Sequence, residues 1–371
     1  MKILVIFTFD ISLKNWKDSG LLSREISYYQ EMMKNFNLNI TFLTFGGLED
    51  KFIGEEFPGI DVIPVYEKFK YSNSKILRAI KSFLIPIFFR EEFSKSDVIK
   101  TNQLLGSWIG IIGKLVFRNK LIIRTGYDLL KFKLKQSKNP IIIILSYLLT
   151  MFSLNFSDIY ITTSKNDFKH LKKYYIFKKH KLKLLPNWIQ SEKYIPFQKR
   201  YKNRILMVGR LEEQKNFERV INDLKNSNIE IDLYGEGSQK TYLTKLAKIN
   251  NVKLNLKGKI DNNDLLKVYA NYKLFVSPSL YEGNPKTVLE AMSMGCLVLS
   301  LRNNSVEELI DNYESGIIFE DKSAELKTLI ENILEDSENF ESIAKKGYEK
   351  VLENNSREVL LSKEIKLLSN F

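Results

Sequence analysis

Short apolar, β-branched runs alternate with stretches of helical period from one end of the chain to the other. In the first half the runs at 2–9, 39–45, 60–65, 97–101, 120–125, 158–163 and 182–186 predict strands. In the second half they recur at 204–208, 230–234, 252–256, 274–277, 297–301 and 316–319. After the first run, Leu22, Ile26, Tyr29, Met33 and Phe36 fall at alternating spacings of four and three, the rhythm of one helix face. Strand–helix alternation of this kind predicts an α/β protein with parallel sheets covered by helices on both faces. The stretch 187–203, with Pro186 before it, Pro196 inside it and a charged run, reads as a linker. The expected organisation is two doubly wound, Rossmann-like domains, 1–187 and 188–353, with a cleft between them. A closing helix at 354–371 is expected to pack back towards the first domain. In such folds ligands sit at the carboxyl ends of the strands.

At 371 residues the chain exceeds what one core usually serves, which agrees with two domains. Hydrophobic residues make up 44% and charged residues 27%, the balance of a globular protein. The single cysteine, Cys296, excludes an internal disulfide and reads as a small buried apolar residue. Met1–Phe7 reaches Asp10 too soon for a secretion signal and reads as a strand. A cytoplasmic location is therefore expected. The uncharged stretch 139–157 is a candidate membrane span, but Ser146, Thr150, Ser153 and Ser157 recur at helical spacing. That polar stripe predicts a buried helix instead.

Net charge is +13, and its distribution changes the picture. Up to Gln190 there are 30 Lys and Arg against 16 Asp and Glu; beyond it, 27 against 28. A basic half beside a neutral half suits an anionic membrane, a phosphorylated substrate or a nucleic acid, though no nucleic-acid motif is present. The stretch from Ile76 to Arg90 is amphipathic. It reads either as a helix lying in a membrane surface or as a core helix ended by Pro86.

Candidate chemistry gathers in three loops of the second half. In the first, Gly209 allows close backbone approach, while Arg210 and Lys215 bracket the mouth of the next helix. Two cations there suit a diphosphate, and a solvated turn fits equally. In the second, Gly235 lies in a Gly-Glu-Gly turn that either faces a ligand or is merely tight. The third runs from Ser277 to Gly295. Asn284 reads as an N-cap with Pro285 at the first helical position, so the amides of Lys286 and Thr287 would point at an anion. Glu282 and Gly283 lie just before this helix and Glu290 within it. Lys286 and Glu290, four apart, would make a surface ion pair, but the flanking Val288, Leu289, Ala291 and Met292 predict burial. A buried carboxylate needs a partner, which a ribose diol would supply.

The spacing of Glu282 and Glu290 within Pro-Ser-Leu-Tyr-Glu-Gly-Asn-Pro-Lys-Thr-Val-Leu-Glu-Ala-Met-Ser-Met-Gly resembles the signature of family-four retaining glycosyltransferases. Val-Gly-Arg-Leu followed by Lys215 resembles it too, as does Leu185-Pro-Asn-Trp-Ile-Gln at the interdomain turn. The resemblance implies the GT-B fold, with the acceptor on the first domain, the nucleotide sugar on the second, and no metal or other cofactor. Arg210 and Lys215 would then neutralise the leaving diphosphate, Glu282 would bond the donor sugar, Glu290 the ribose, and backbone near Ile260 the base. In the first domain Ser19-Gly20 stands where the family often has two glycines, leaving the Gly20 amide for the diphosphate. Lys100-Thr-Asn-Gln stands where many members have a histidine, which suggests Asn102 or Gln103 for the sugar. Gly126 and Asp128 end another strand, with Asp128 either facing an acceptor hydroxyl or capping a helix. His170 and His180 lie in a Lys-rich stretch that reads as surface.

The expected function is metal-independent, retaining transfer from a UDP-sugar, or GDP-mannose next, to a lipid-linked or cell-surface glycan. Lipopolysaccharide or capsule synthesis at the inner membrane face is the implied setting. A nucleotide-sugar epimerase of the same fold, a phosphorylase, or a non-catalytic nucleotide-sugar-binding subunit are the alternatives.

Overall fold

A computed structural model describes residues 1–321, 325–369 and 371; Asn370 of the expected closing helix and 322–324 of the expected second domain lie outside these. The chain divides into two compact units. Unit 1 comprises Met1–Leu185 together with Lys363–Phe371, and unit 2 is Pro186–Ser362.

Unit 1 holds seven parallel strands: β1 Lys2–Ile6, β2 Asn39–Thr44, β3 Ile60–Pro64, β4 Val98–Thr101, β5 Lys120–Thr125, β6 Ile159–Thr162 and β7 Leu182–Leu184. Their order is β3-β2-β1-β4-β5-β6-β7. Among its described residues unit 2 holds six: β8 Tyr201–Val208, β9 Glu230–Tyr234, β10 Lys253–Gly258, β11 Tyr272–Ser277, β12 Leu297–Leu301 and β13 Ile317–Phe319. These run in the order β10-β9-β8-β11-β12-β13, again all parallel. Every apolar run read from the sequence as a strand is one. In each sheet the chain winds outward from the middle in both directions, so a topological switch point lies between β1 and β4 and another between β8 and β11. Loops diverge there and leave room for a ligand.

The reason for two covered faces is visible in the strands. Ile205 and Met207 of β8 join one core cluster with Val276 and Leu299; Leu206 joins the other with Phe275, Val298 and Leu289. Successive residues point to opposite faces and all are apolar, which only a sheet buried on both sides permits.

Two helices depart from expectation. Helix Pro140–Phe156 was expected to be a buried helix. Its buried residues are instead Ser146, Thr150, Ser153 and Leu154, and Ile141, Ile142 and Ile144 are exposed. The hydroxyls make their burial cheap by bonding within the helix and to its neighbour. Ser146 Oγ donates to Ile142 O at 2.7 Å, Thr150 Oγ1 donates to Ser146 O at 2.9 Å, and the Ser107 and Ser153 hydroxyls pair at 2.8 Å. The reading of 76–90 as one core helix ended by Pro86 also fails. Helix Lys75–Ser82 stops first, and Pro86 starts a second short helix, Ile85–Phe88, in whose first turn its missing N–H costs nothing. No described helix is long and apolar enough to cross a membrane.

Candidate functional site

The unit 2 switch point assembles the candidate site. The loop after β8 and the loop after β11 are pinned together by Gln214: its Nε2 donates to Tyr281 O at 2.7 Å, and its carbonyl accepts from Leu280 N at 3.0 Å. That pinning brings Lys215 Nζ onto Glu282 Oε1, with both side chains mostly buried. The sequence separates these residues widely, and the sheet order brings them together. A third loop, after β12, holds the Glu282 segment from behind. Ser305 Oγ donates to Glu282 O at 2.6 Å and Asn303 Nδ2 donates to Ser279 O at 3.1 Å.

Arg210 lies exposed on the loop after β8. The neighbouring Glu212 ties this loop to the one after β9, accepting from Ser238 Oγ at 2.8 Å and Ser238 N at 3.2 Å. Those two bonds hold its carboxyl below the usual carboxylate range. Gly209 N donates to Tyr234 O at 3.0 Å, and a Cβ on Gly235 would lie 1.9 Å from Gly209 O. Only glycine fits there. Gly235 is thus needed for the approach of two strand ends, which accounts for it without a ligand.

Helix Lys286–Ser293 begins one residue later than expected. Pro285 occupies the cap, and the buried Asn284 does not cap the helix. Its Oδ1 accepts from Asn187 N at 3.2 Å, and Asn187 Nδ2 donates back to Asn284 O at 3.0 Å. The carboxamide pair fixes the helix entry against Pro186-Asn-Trp. The first i→i−4 bond of the helix runs from Leu289 N to Pro285 O, so the Lys286 and Thr287 amides precede the ladder as expected. Gly283 is buried in the same turn. Glu290 is buried, and its Oε1 accepts from Asn262 Nδ2 at 3.1 Å. Asn262 opens helix Asn262–Tyr269 two residues after the half-buried Ile260, which places the loop after β10 beside this carboxylate. Gln214, Asn262, Asn303 and Ser305 escaped the sequence reading. Each sits in a polar stretch at or beside a loop, and only the strand order reveals its partner.

Unit 1 treats its candidates differently. The Gly20 amide is engaged in the turn after helix Leu13–Asp18, donating to Lys17 O at 3.1 Å, where φ is +72°. The expected phosphate contact from that amide is therefore withdrawn. Gln103 Oε1 accepts from Gly126 N at 2.9 Å, joining the ends of β4 and β5, and Asn102 lies half-exposed beside it. Asp128 is the N-cap of helix Leu129–Gln136, accepting from Lys131 N at 3.2 Å. Its side chain is fully buried, and its Oδ2 meets His170 Nδ1 at 2.7 Å. The capping alternative holds, and an acceptor hydroxyl has no access to this carboxylate. His170 is correspondingly mostly buried, contrary to its reading as surface.

Residues 190–350 match the family model of glycosyl transferases group 1. An uncharacterized glycosyltransferase of Methanocaldococcus jannaschii, MJ1059, is 30% identical over 202 residues, which cover 46% of this chain and 48% of that protein. The UDP-Gal:alpha-D-GlcNAc-diphosphoundecaprenol alpha-1,3-galactosyltransferase of Escherichia coli is 25% identical over 273 residues, 67% of this chain and 68% of its own length. The chain thus spans about half the length of the first relative. Sucrose-phosphate synthase from Thermosynechococcus elongatus superposes with a TM-score of 0.80 at 16% identity, over 100% of this chain and 99% of the other. Anabaena Alr3699/HepE, solved with UDP-glucose, gives 0.76 at 16% identity over the whole of both chains. The chain has the GT-B glycosyltransferase fold. Within its second unit, residues 190–350 are similar to the glycosyl transferases group 1 family.

Proposed function

We propose that the chain is a metal-independent retaining glycosyltransferase. It moves a sugar from a nucleotide sugar, a UDP-sugar in the first place and GDP-mannose in the second, to a lipid-linked or cell-surface glycan. The observation that carries this reading is the Lys215–Glu282 pair at the unit 2 switch point, within the segment that matches the family model. The similarity to a protein solved with UDP-glucose and to a UDP-galactose-dependent enzyme favours the uridine donor. The second enzyme's name, with its diphosphoundecaprenol acceptor, supports a lipid-linked acceptor and work at the inner membrane face.

In this reading unit 2 takes the donor and unit 1 the acceptor. The donor diphosphate meets the Lys215 ammonium, the Arg210 guanidinium and the Lys286 and Thr287 amides, which together do the work a divalent metal does elsewhere. Glu282, released from part of its pairing, accepts from the sugar hydroxyls. Glu290, oriented by Asn262, accepts from the ribose, and backbone near Ile260 meets the base. The bond from the anomeric carbon to the phosphate oxygen breaks as the acceptor oxygen bonds on the same face. The acceptor proton passes to the leaving phosphate. No side chain becomes covalently attached.

The test is nucleotide release from a panel of nucleotide sugars with EDTA present. One donor, expected to be uridine-linked, should be turned over, and Glu282→Ala should lose that turnover. Full activity in Glu282→Ala would remove the site from the argument, and loss of turnover on adding EDTA would remove metal independence.

A further inference from the structure

The helix Pro140–Phe156 presents the wrong residues to water. Ile141 is 64% exposed, Ile144 56%, Leu145 59% and Phe152 49%, while the serines and threonine of the same helix point inward. These four form a stripe at helical spacing. A second apolar face lies on the Lys75–Ser82 and Ile85–Phe88 helices, where Ile76 is 73% and Ile80 61% exposed and Phe83 and Ile87 are also outward. Helix Ser107–Phe117 adjoins both, because the Ser107 hydroxyl pairs with Ser153 at 2.8 Å and Trp108 Nε1 donates to Ser82 Oγ at 2.8 Å. Its own Leu115 and Val116 are exposed as well. Monomeric proteins seldom leave so many large apolar side chains to water on neighbouring helices of one unit.

The charges around these faces identify what covers them. From Lys68 to Arg90 there are six cations and no carboxylate, of which Arg78 pairs with Asp10 and Lys68 with Glu92; from Leu129 to Ser157 there are four lysines and no carboxylate, of which Lys131 pairs with Asp167. Docking a second copy on this surface would set cations against cations. A lipid surface bearing negative headgroups satisfies both the apolar face and its basic flanks.

We infer that unit 1 seats the outward face of helix Pro140–Phe156 in an anionic membrane surface, with the Lys75–Phe88 segment entering beside it. The inference deepens the proposed transfer to a lipid-linked acceptor and rests on that reading for its purpose. It commits to helix Pro140–Phe156 as the inserted element, lying in the interface without crossing it.

The experiment is co-sedimentation with phosphatidylglycerol-containing and with pure phosphatidylcholine vesicles, at low salt and at about 0.5 M salt. The probes are the intact protein and an Ile141→Gln/Ile144→Gln/Leu145→Gln variant, whose exposed positions leave the core untouched. The intact protein is expected to prefer the anionic vesicles and to keep part of its binding at high salt. The variant is expected to lose about tenfold or more in partitioning. Equal binding by the variant, or no binding by the intact protein at low salt, overturns the inference. So does a concentration-dependent dimer that the variant abolishes, since the face would then be a protein interface. Donor-dependent nucleotide release is read on the same preparations. Its persistence without vesicle binding sinks the membrane face alone, and its absence with intact binding sinks the transferase reading alone.

Discussion

Lys215 and Glu282 are each other's partners across two loops, and a diphosphate arriving between an ammonium and a carboxylate favours only the first. Lysine at this position is therefore expected to matter most when negative charge builds on the leaving group. Lys215→Ala should lower kcat by about 100-fold or more, with the circular dichroism spectrum unchanged. An effect on KM alone would show that the lysine binds ground state and transition state alike. Cys296 offers a contrasting residue. Burial pushes its thiol up to about 11, against the opposing pull of the Arg200 guanidinium, and its Sγ lies 3.1 Å from Tyr269 O. The thiolate is the reactive form, so an aromatic disulfide reagent at pH 8 should label it only after denaturation. Labelling of the native protein within minutes would mean that the core around helix Lys286–Ser293 opens freely.

The end of helix Arg357–Leu368, from Lys363 onward, belongs to unit 1 and is held there by a buried carboxylate. Glu364 pairs with Lys100 of β4, and Tyr28 OH donates to its other oxygen at 2.6 Å. Burial alone would push Glu364 up, but the Lys100 and Arg124 cations and the bond from Tyr28 outweigh it and hold the carboxyl below its usual range. Lys100 is disfavoured as a cation by burial, yet the Glu364 charge leaves it raised. A lowered carboxylate stabilises the fold above the ordinary glutamate range and loses that contribution as pH falls. A raised lysine stabilises the fold below about pH 10 and loses its contribution above. Glu364→Ala should cost about 3–5 kcal/mol in urea unfolding, because it strands a buried ammonium. Lys100→Met/Glu364→Leu should recover most of that and flatten the acid limb of stability against pH. A double variant as weak as the single one would mean that packing, not charge, holds the helix. Elements of this kind also mark how far the sequence could be read. Strands were legible because burial on both faces leaves short apolar, β-branched runs between turn signals. The outward Pro140–Phe156 face was not, because periodicity shows that two faces differ without showing which one the fold turns inward. Gly20 was misplaced, and Asp128 left between two roles, for a related reason. A turn amide and a capping carboxylate look the same in sequence whether a ligand or the backbone takes them, and here Lys17 O and Lys131 N do. The Glu282 and Glu290 positions were legible as a spaced pair, whereas their orienting partners Asn262 and Ser305 come from other strands' loops.

At the scale of the molecule the two units differ in charge and in what they match. The basic excess lies in the residues up to Gln190, and the family match covers 190–350, almost entirely outside it. Each unit has its own sheet and its own switch point. If unit 2 alone takes the nucleotide, a ligand such as UDP binds its folded form and leaves unit 1 unlinked. At about 100 times its dissociation constant the nucleotide should then stabilise unit 2 by about 2.7 kcal/mol. Hydrogen exchange followed by mass spectrometry separates the units. Protection should rise in peptides covering the loops after β8 and β11 and the start of helix Lys286–Ser293, while β1–β7 and the helix Pro140–Phe156 stay unchanged. Protection confined to the loops after β1 and β4 would move the nucleotide to unit 1 and reverse the division of labour. Equal protection throughout would mean that the units unfold as one, and the nucleotide's place would then have to be read from the Lys215→Ala variant, which should weaken the protection by UDP, whereas Glu282→Ala, which removes a contact to the donor sugar, should leave it.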